Sequence, residues 1–323
     1  MGMSYRLLSF EKGGVARAGL AVGERVFDAA DATGLQRYDG LLAILLDWEV
    51  AEPALRQAAQ RAQAGLLDQP STSLEEVRLL APLPGSTTIF GAGANYQDHV
   101  EEMARVLSQP VGLNAKQQGE SPFHFVKTGR NALVGPGADV AMPGYSVRVD
   151  HEIELAAVIG RAARNVKVEE ALAHVAGYTI ANDLSAREVG RPLTPQGSPF
   201  HYDWITMKCF DGACPLGPWI VPAAQVGDPQ RLAMKLWVNG VLMQDSSTDR
   251  MIFSVAEQIA WLSTRLTLQP GDLILTGSPA GVGVPHGRFL KAGDTVSLWI
   301  ERIGEMSHRM VDAVDVSCSI KKN

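Results

Sequence analysis

The sequence predicts an α+β fold in two parts, a small N-terminal α/β domain over 1–75 and a larger domain over 76–323. Strand signals outnumber helix signals, which fixes the class as β-rich. Strands and helices do not alternate in the βαβ rhythm of a doubly wound sheet. Gln69-Pro70-Ser71-Thr72-Ser73 is a run of turn formers that reads as the linker between the two parts.

In chain order, Tyr5–Phe10 and Val15–Val22 read as strands on either side of the Gly13-Gly14 turn. Leu41, Leu42, Ile44, Leu45, Trp48 and Leu55 recur at helical spacing, so 41–66 reads as helix. Further helices are expected near 97–107 and 254–265. Glu152–Ile159 has an apolar strand tail. Leu232, Met234, Leu236 and Val238 alternate, and Asn239-Gly240 behind them is a hairpin signal. Pro270-Gly271-Asp272 turns into a strand over Leu273–Thr276, and Ala292-Gly293-Asp294 into one over Val296–Ile300.

Composition excludes several classes of function. Of the 323 residues, 46% are hydrophobic and 20% charged, a globular balance. The 29 basic and 35 acidic side chains give a net charge of -6, with no block of like charge. Nucleic acid and anionic membranes are therefore not expected partners. No apolar run approaches the ~20 residues of a membrane span, and the opening residues do not read as a signal peptide. Three sparse cysteines, Cys209, Cys214 and Cys318, suit a reducing compartment and no disulfide framework, so a cytoplasmic protein is expected.

Asp150-His151-Glu152-Ile153-Glu154 is the first stretch that suggests chemistry. On a strand, Glu152 and Glu154 share a face, and His151 points away from them. Two adjacent carboxylates leading into an apolar run are either a surface strand end or a pair of metal ligands. Asp183, at the end of the apolar run Tyr178–Asn182, adds a third carboxylate, although a turn-forming Asp is the local alternative. An all-oxygen set of this kind suits a hard cation such as Mg²⁺, Mn²⁺ or Ca²⁺.

His99 and Glu102 are three residues apart, which on a helix puts them on one face. A carboxylate that orients a histidine makes a general base, while the local alternative is a solvated surface pair. Lys127 and Lys208 each end an apolar run. Their local reading is a lysine that snorkels to solvent.

Together these stretches resemble the fumarylacetoacetate hydrolase family. The match runs through Gly93–His99, Asp150–Leu155, Gly177–Arg187, Asn239–Gln244, Arg250–Ser254 and Pro270–Gly283, in the family's order. The resemblance implies a mixed β-sheet rolled into a barrel-like catalytic fold, usually as a homodimer. It implies a metal held by Glu152, Glu154 and Asp183, a His99–Glu102 pair, active-site lysines at Lys127 and Lys208, and an active-site Gln244. The family's Thr-Gly-Thr-Pro loop matches Thr276–Pro279, with Ser278 in place of the second threonine, and its hydroxyls are expected to bind a substrate carboxylate. Gly190 stands where many relatives have a glutamine. The run Gly190–Gly197 reads as a mobile lid that tunes the substrate, and Gln109–Ser121 is long for the family.

The activity implied is metal-dependent hydrolysis of a C–C bond in a small 2,4-diketo acid of acylpyruvate, fumarylpyruvate or diketo-deoxy-sugar-acid type. In this reading His99, oriented by Glu102, activates water, and Lys208 or Gln244 stabilises the oxyanion. Lys127 protonates the carbanion. Arg187 braces Asp183 or binds a carboxylate, with the brace favoured. Isomerisation or decarboxylation of a related 2-oxo acid is the alternative within the family. A non-catalytic keto-acid-binding protein ranks last, because every chemical group named above is present.

Overall fold

The computed structural model describes residues 4–83, 85, 88–106, 108–189 and 203–313. The expected lid, Gly190–Gly197, lies outside the described residues. At the centre are two antiparallel strands, Ile153–Ile159 and Val175–Asn182, each buried along its whole length. Both are almost wholly apolar because both faces are covered, so neither shows polar alternation.

From this pair one sheet extends both ways. Its order is Ser71–Ser73, Arg25–Asp28, Val15–Val22, Arg6–Lys12, Cys214–Pro222, Val175–Asn182, Ile153–Ile159, Leu273–Leu275, Thr88–Ala92 and His124–Thr128. Two short strands branch from it, Leu79–Leu80 beside Arg6–Lys12 and Leu133–Val134 beside Cys214–Pro222. A second sheet contains Val241–Ser247, Ala233–Val238, Thr295–Ile300, Gly304–Val311 and Asp139–Ala141. Val149–Asp150 pairs separately with Ser185–Ala186. Pairing is mostly antiparallel, with parallel steps at Leu273–Leu275/Thr88–Ala92, Leu133–Val134/Cys214–Pro222 and Asp139–Ala141/Gly304–Val311. The fold is thus mixed α+β. Among the described residues the pairing path is open and closes no barrel.

The large sheet crosses the boundary expected after residue 75. Arg6–Lys12 joins Cys214–Pro222 at the Leu7–Ile220 pair, and one apolar core holds Leu7, Leu20 and Leu55 together with Ile153 and Val255. The expected linker contains an edge strand, since Ser71–Ser73 pairs with Arg25–Asp28. Ser and Thr side chains suit a loop and an exposed edge equally, which is why the sequence pattern alone misses it. The expected helix 41–66 is two helices, Leu41–Leu46 and Trp48–Gln63. They meet at Asp47, whose carboxylate accepts from Tyr38 Oη and Arg37 Nη2, both at 2.7 Å.

The other two helices differ in what holds them. Val255–Arg265 starts on a capping box, Ser254 with Glu257, and buries Val255, Ile259 and Leu262. Gln97–Val106 buries none of its residues. No described helix is long and apolar enough to cross a membrane.

Two histidines are locked into the fold uncharged. Burial pushes His308 down to about 3 and His124 down to about 4. The His308 Nε2 accepts from Asn182 Nδ2 at 2.8 Å, so its proton is on Nδ1. The unfolded chain protonates these rings near 6.5 and the folded chain does not, so their contribution to stability is complete above that pH and lost as pH falls towards 4 and 3. The urea midpoint is therefore expected to fall between pH 7.5 and 5.5 (chosen as roughly one unit either side of that value), and to fall less steeply in His308→Gln, which keeps an acceptor for Asn182. An equal slope in the two proteins would contradict the assignment to His308.

Candidate active site

The site is built where the two central strands end. Antiparallel pairing sets Ile153 opposite Asn182, so Asp183 follows directly beside Glu152, and its N–H donates to the Glu152 carbonyl at 2.9 Å. Asn182 Oδ1 accepts from the Glu152 N–H at 2.9 Å. Glu152, Glu154 and Asp183 are all buried, and one carboxylate oxygen from each falls in a cluster spanning at most 4.8 Å. The sequence reading of a surface strand end does not hold.

Three cations answer this charge. Lys208 Nζ donates to Glu152 Oε2 at 2.6 Å and to Asp183 Oδ2. Lys127 Nζ donates to Asp183 Oδ1, to the Ala213 carbonyl at 2.9 Å and to the Leu184 carbonyl at 3.3 Å. Both lysines are buried, so neither snorkels; the carboxylates draw their ammoniums inward. All three Lys127 hydrogens are engaged, and in this arrangement Lys127 orients Asp183. Among the described residues Lys208 keeps one N–H uncommitted, with its ammonium 4.9 Å from the centre of the Phe125 ring.

Arg187 does not brace Asp183. Its Nε donates to Asp150 Oδ2 at 2.9 Å and its Nη2 to Glu152 Oε1 at 2.5 Å. Burial opposes ionisation of Glu152, but Arg187 and Lys208 outweigh it and hold the carboxyl well below its usual range. Burial likewise opposes the charge on Lys208, and Asp183 and Glu152 outweigh it and raise its pKa.

Glu154 has no such cation. Among the described residues its Oε2 accepts only the Gly277 N–H, at 2.6 Å. Burial, then Asp183 and Glu152, push its carboxyl well above the usual range. Lys208 acts on Glu154 only from a distance and does not outweigh this, and a buried carboxylate facing two others with no cation bonded to it is stabilised by a divalent ion. The dimensions also fit. Metal–oxygen bonds of about 2.1 Å set opposed oxygens roughly 4.2 Å apart, within the spread of the cluster. Glu152, Glu154 and Asp183 are the residues that would hold the ion.

A polar frame holds the ligands in place. Gln244 is fully buried, accepts from the Ile153 N–H at 3.0 Å and donates to Ser278 Oγ and the Pro279 carbonyl, each at 2.9 Å. Both its N–H hydrogens are taken, so Gln244 has none left to donate. Thr276 Oγ1 donates to the Leu155 carbonyl at 2.8 Å. The Ser278 hydroxyl accepts from Gln244, and among the described residues no acceptor takes its own hydrogen.

His99 stands beside this cluster. Burial lowers its pKa, with Glu152 raising it less, so the imidazole is neutral and able to accept a proton. Its Nδ1 is buried without a partner. Glu102 does not supply that partner. Its Oε2 accepts from the Gly281 N–H at 2.9 Å, and its Oε1 meets His286 Nε2 at 3.0 Å. His151 faces the same loop, with Nε2 3.2 Å from the Gly281 carbonyl and Nδ1 3.7 Å from Asp150 Oδ1.

Sequence reasoning missed two contributors. Asp150 continues the two-residue alternation of Glu152 and Glu154, a signal that was present. It accepts from Arg187 and from the Gly283 N–H at 2.6 Å. A Cβ on Gly283 would lie 1.8 Å from the Arg288 carbonyl oxygen, so only glycine fits there. His286 has no local sequence signal, because its partner Glu102 is 184 positions away.

The chain is similar to several known proteins. The family model described as fumarylacetoacetate (FAA) hydrolase C-terminal matches residues 88–311. A mitochondrial oxaloacetate tautomerase of Xenopus laevis is 35% identical over 314 residues, 96% of this chain and 91% of the relative. A 2,4-didehydro-3-deoxy-L-rhamnonate hydrolase of Sphingomonas sp. (strain SKA58) is 40% identical over 232 residues, 71% of this chain and 75% of the relative. The structure of maleylpyruvate hydrolase from Sphingobium sp. SYK-6, in complex with manganese (II) ion and pyruvate, superimposes with a TM-score of 0.72 at 32% identity, covering 96% of this chain and 100% of that one.

Glu154→Gln keeps the acceptor for Gly277 and removes the unmatched charge. The variant without metal is expected to be at least as stable as the wild type. Mn²⁺ at roughly a hundredfold over its Kd should stabilise the wild type by about 2.7 kcal/mol and leave the variant unshifted in a thermal melt. An equal Mn²⁺ shift in both would contradict the ligand set.

Proposed function

The chain belongs to the fumarylacetoacetate hydrolase family, and on that footing we propose that it is a divalent-metal-dependent hydrolase that splits a 2,4-diketo acid into pyruvate, or a substituted pyruvate, and a carboxylic acid. The observation that carries this reading is the buried Glu152–Glu154–Asp183 cluster beside a neutral His99. The solved relative that holds manganese and pyruvate supports the same pairing of ion and 2-oxo acid. A homodimer accompanies the reading, as does a cytoplasmic location, although the Xenopus laevis relative is mitochondrial.

Mg²⁺, Mn²⁺ or Ca²⁺ held by the three carboxylates would supply Lewis-acid stabilisation of negative charge on the 2-oxo oxygen. The protein's own groups do the rest. His99 takes a proton from water, and the hydroxide oxygen bonds to C4. The uncommitted N–H of Lys208 meets the oxyanion that forms there. As the C4 carbonyl re-forms, the C3–C4 bond breaks and its electron pair stays on C3 as an enolate. The His99 imidazolium, and not the fully engaged Lys127, returns the proton to C3. Ser278 donates its hydroxyl hydrogen to the substrate carboxylate.

A second reading is keto–enol tautomerisation of a 2-oxo dicarboxylate, the chemistry in the name of the Xenopus laevis relative. One observation favours it. Glu102 is bound to Gly281 and His286, and a proton shuttle on the substrate needs His99 but no activated water.

A panel of 2,4-diketo acids followed by ultraviolet loss, with products identified by NMR, separates the readings. Equimolar pyruvate and carboxylic acid are expected, and His99→Ala should lower kcat/KM about 100-fold or more. Unchanged turnover in the variant would remove His99 as the base. Conversion of enol-oxaloacetate without cleavage of any diketo acid would establish the second reading in place of the first.

A further inference from the structure

The helix Gln97–Val106 carries the base yet is only half-buried, with none of its residues fully buried, and polar contacts fasten it. At its start Asp98 Oδ2 accepts from Ser246 Oγ at 2.5 Å, and Gln97 Oε1 from Asn114 Nδ2 at 2.8 Å. One turn beyond His99, Glu102 fastens the helix to the loop 281–288 through the Gly281 N–H and His286 Nε2. With the Glu102 oxygen as acceptor, His286 Nε2–H is the donor. The Glu102 side chain is only 13% exposed, whereas His286 is 48% exposed. A nearly buried anion depends on both of these partners.

The Gly281 N–H is held in place by sterics. The residue has φ +95°, and a Cβ there would lie 2.1 Å from the Met243 carbonyl oxygen. The same loop sends the N–H groups of Gly283 and Val284 to Asp150, at 2.6 and 3.3 Å, and Asp150 holds Arg187 against Glu152. One loop thus anchors both the base helix and the cation of a metal-ligand residue.

We propose that His286 is a positioning residue. It latches Glu102, keeps the helix in register and holds His99 beside the carboxylates, without touching substrate. The effect on turnover rests on His99 being the base; the latch itself does not.

The test uses the full chain with His286→Ala and His286→Gln, the latter retaining a donor for Glu102. In hydrogen–deuterium exchange without substrate, amides of 97–106 are expected to exchange about tenfold faster in the alanine variant, the change one hydrogen bond to a charged group is worth. Exchange in Ile153–Ile159 should stay unchanged, and glutamine should restore the helix. With a diketo acid that the wild type turns over, kcat should fall about tenfold in the alanine variant, at unchanged KM and Mn²⁺ affinity, and recover in the glutamine variant. Unaltered helix exchange, unaltered kcat despite faster exchange, or loss of Mn²⁺ binding would each overturn the proposal. If His99→Ala keeps full turnover while the exchange result holds, the assignment of His99 as base fails and the latch stands.

Discussion

Four carboxylates are brought together at one buried point, and the rest of the site answers that constraint. Asp150, Glu152 and Glu154 arrive along one line of the chain, and Asp183 arrives at the end of the antiparallel neighbour. Charges withdrawn from water need partners, since an unpaired buried charge costs several kcal/mol. Lys127, Lys208 and Arg187 serve Asp183, Glu152 and Asp150, and glycine N–H groups fill in where no side chain has room. Among the described residues Glu154 alone is left with a single backbone donor. That asymmetry is the physical argument for a divalent cation, and it holds independently of any likeness to other proteins.

The same constraint orders the chemistry. Burial keeps His99 neutral in spite of the nearby anions, so the site pairs an acceptor of protons with a place where negative charge is tolerated. Hydrolysis and tautomerisation both begin from that pairing, and they separate only at whether water or substrate carbon loses the proton. The partner chosen by Glu102 therefore matters. Bound to the loop 281–288 it is a structural clasp, whereas turned to His99 it would raise the basicity of the ring.

What was legible in the sequence follows the range of the interactions. The carboxylates were visible because strand alternation and a strand end are local patterns, and the Ser254–Glu257 capping box marks its helix within four residues. The lysines read locally as snorkelling because their partners are remote in sequence: Lys127 meets Asp183, and Lys208 meets Glu152, each across 56 positions. His99 and Glu102 were expected to pair from spacing alone, and spacing carries no information about a loop 184 positions from Glu102 that competes for it. The edge strand Ser71–Ser73 was hidden for a different reason, since its residues suit a linker as well. Local periodicity located the ligands; only the assembled fold showed which of their neighbours orient them.

The central claim is that the cluster holds a divalent ion. Anomalous diffraction from crystals soaked in Mn²⁺ tests it directly. The expected result is one strong peak about 2.2 Å from oxygens of Glu152, Glu154 and Asp183, with the Lys208 ammonium displaced from its bridge. A peak elsewhere, or none at saturating Mn²⁺, would contradict it.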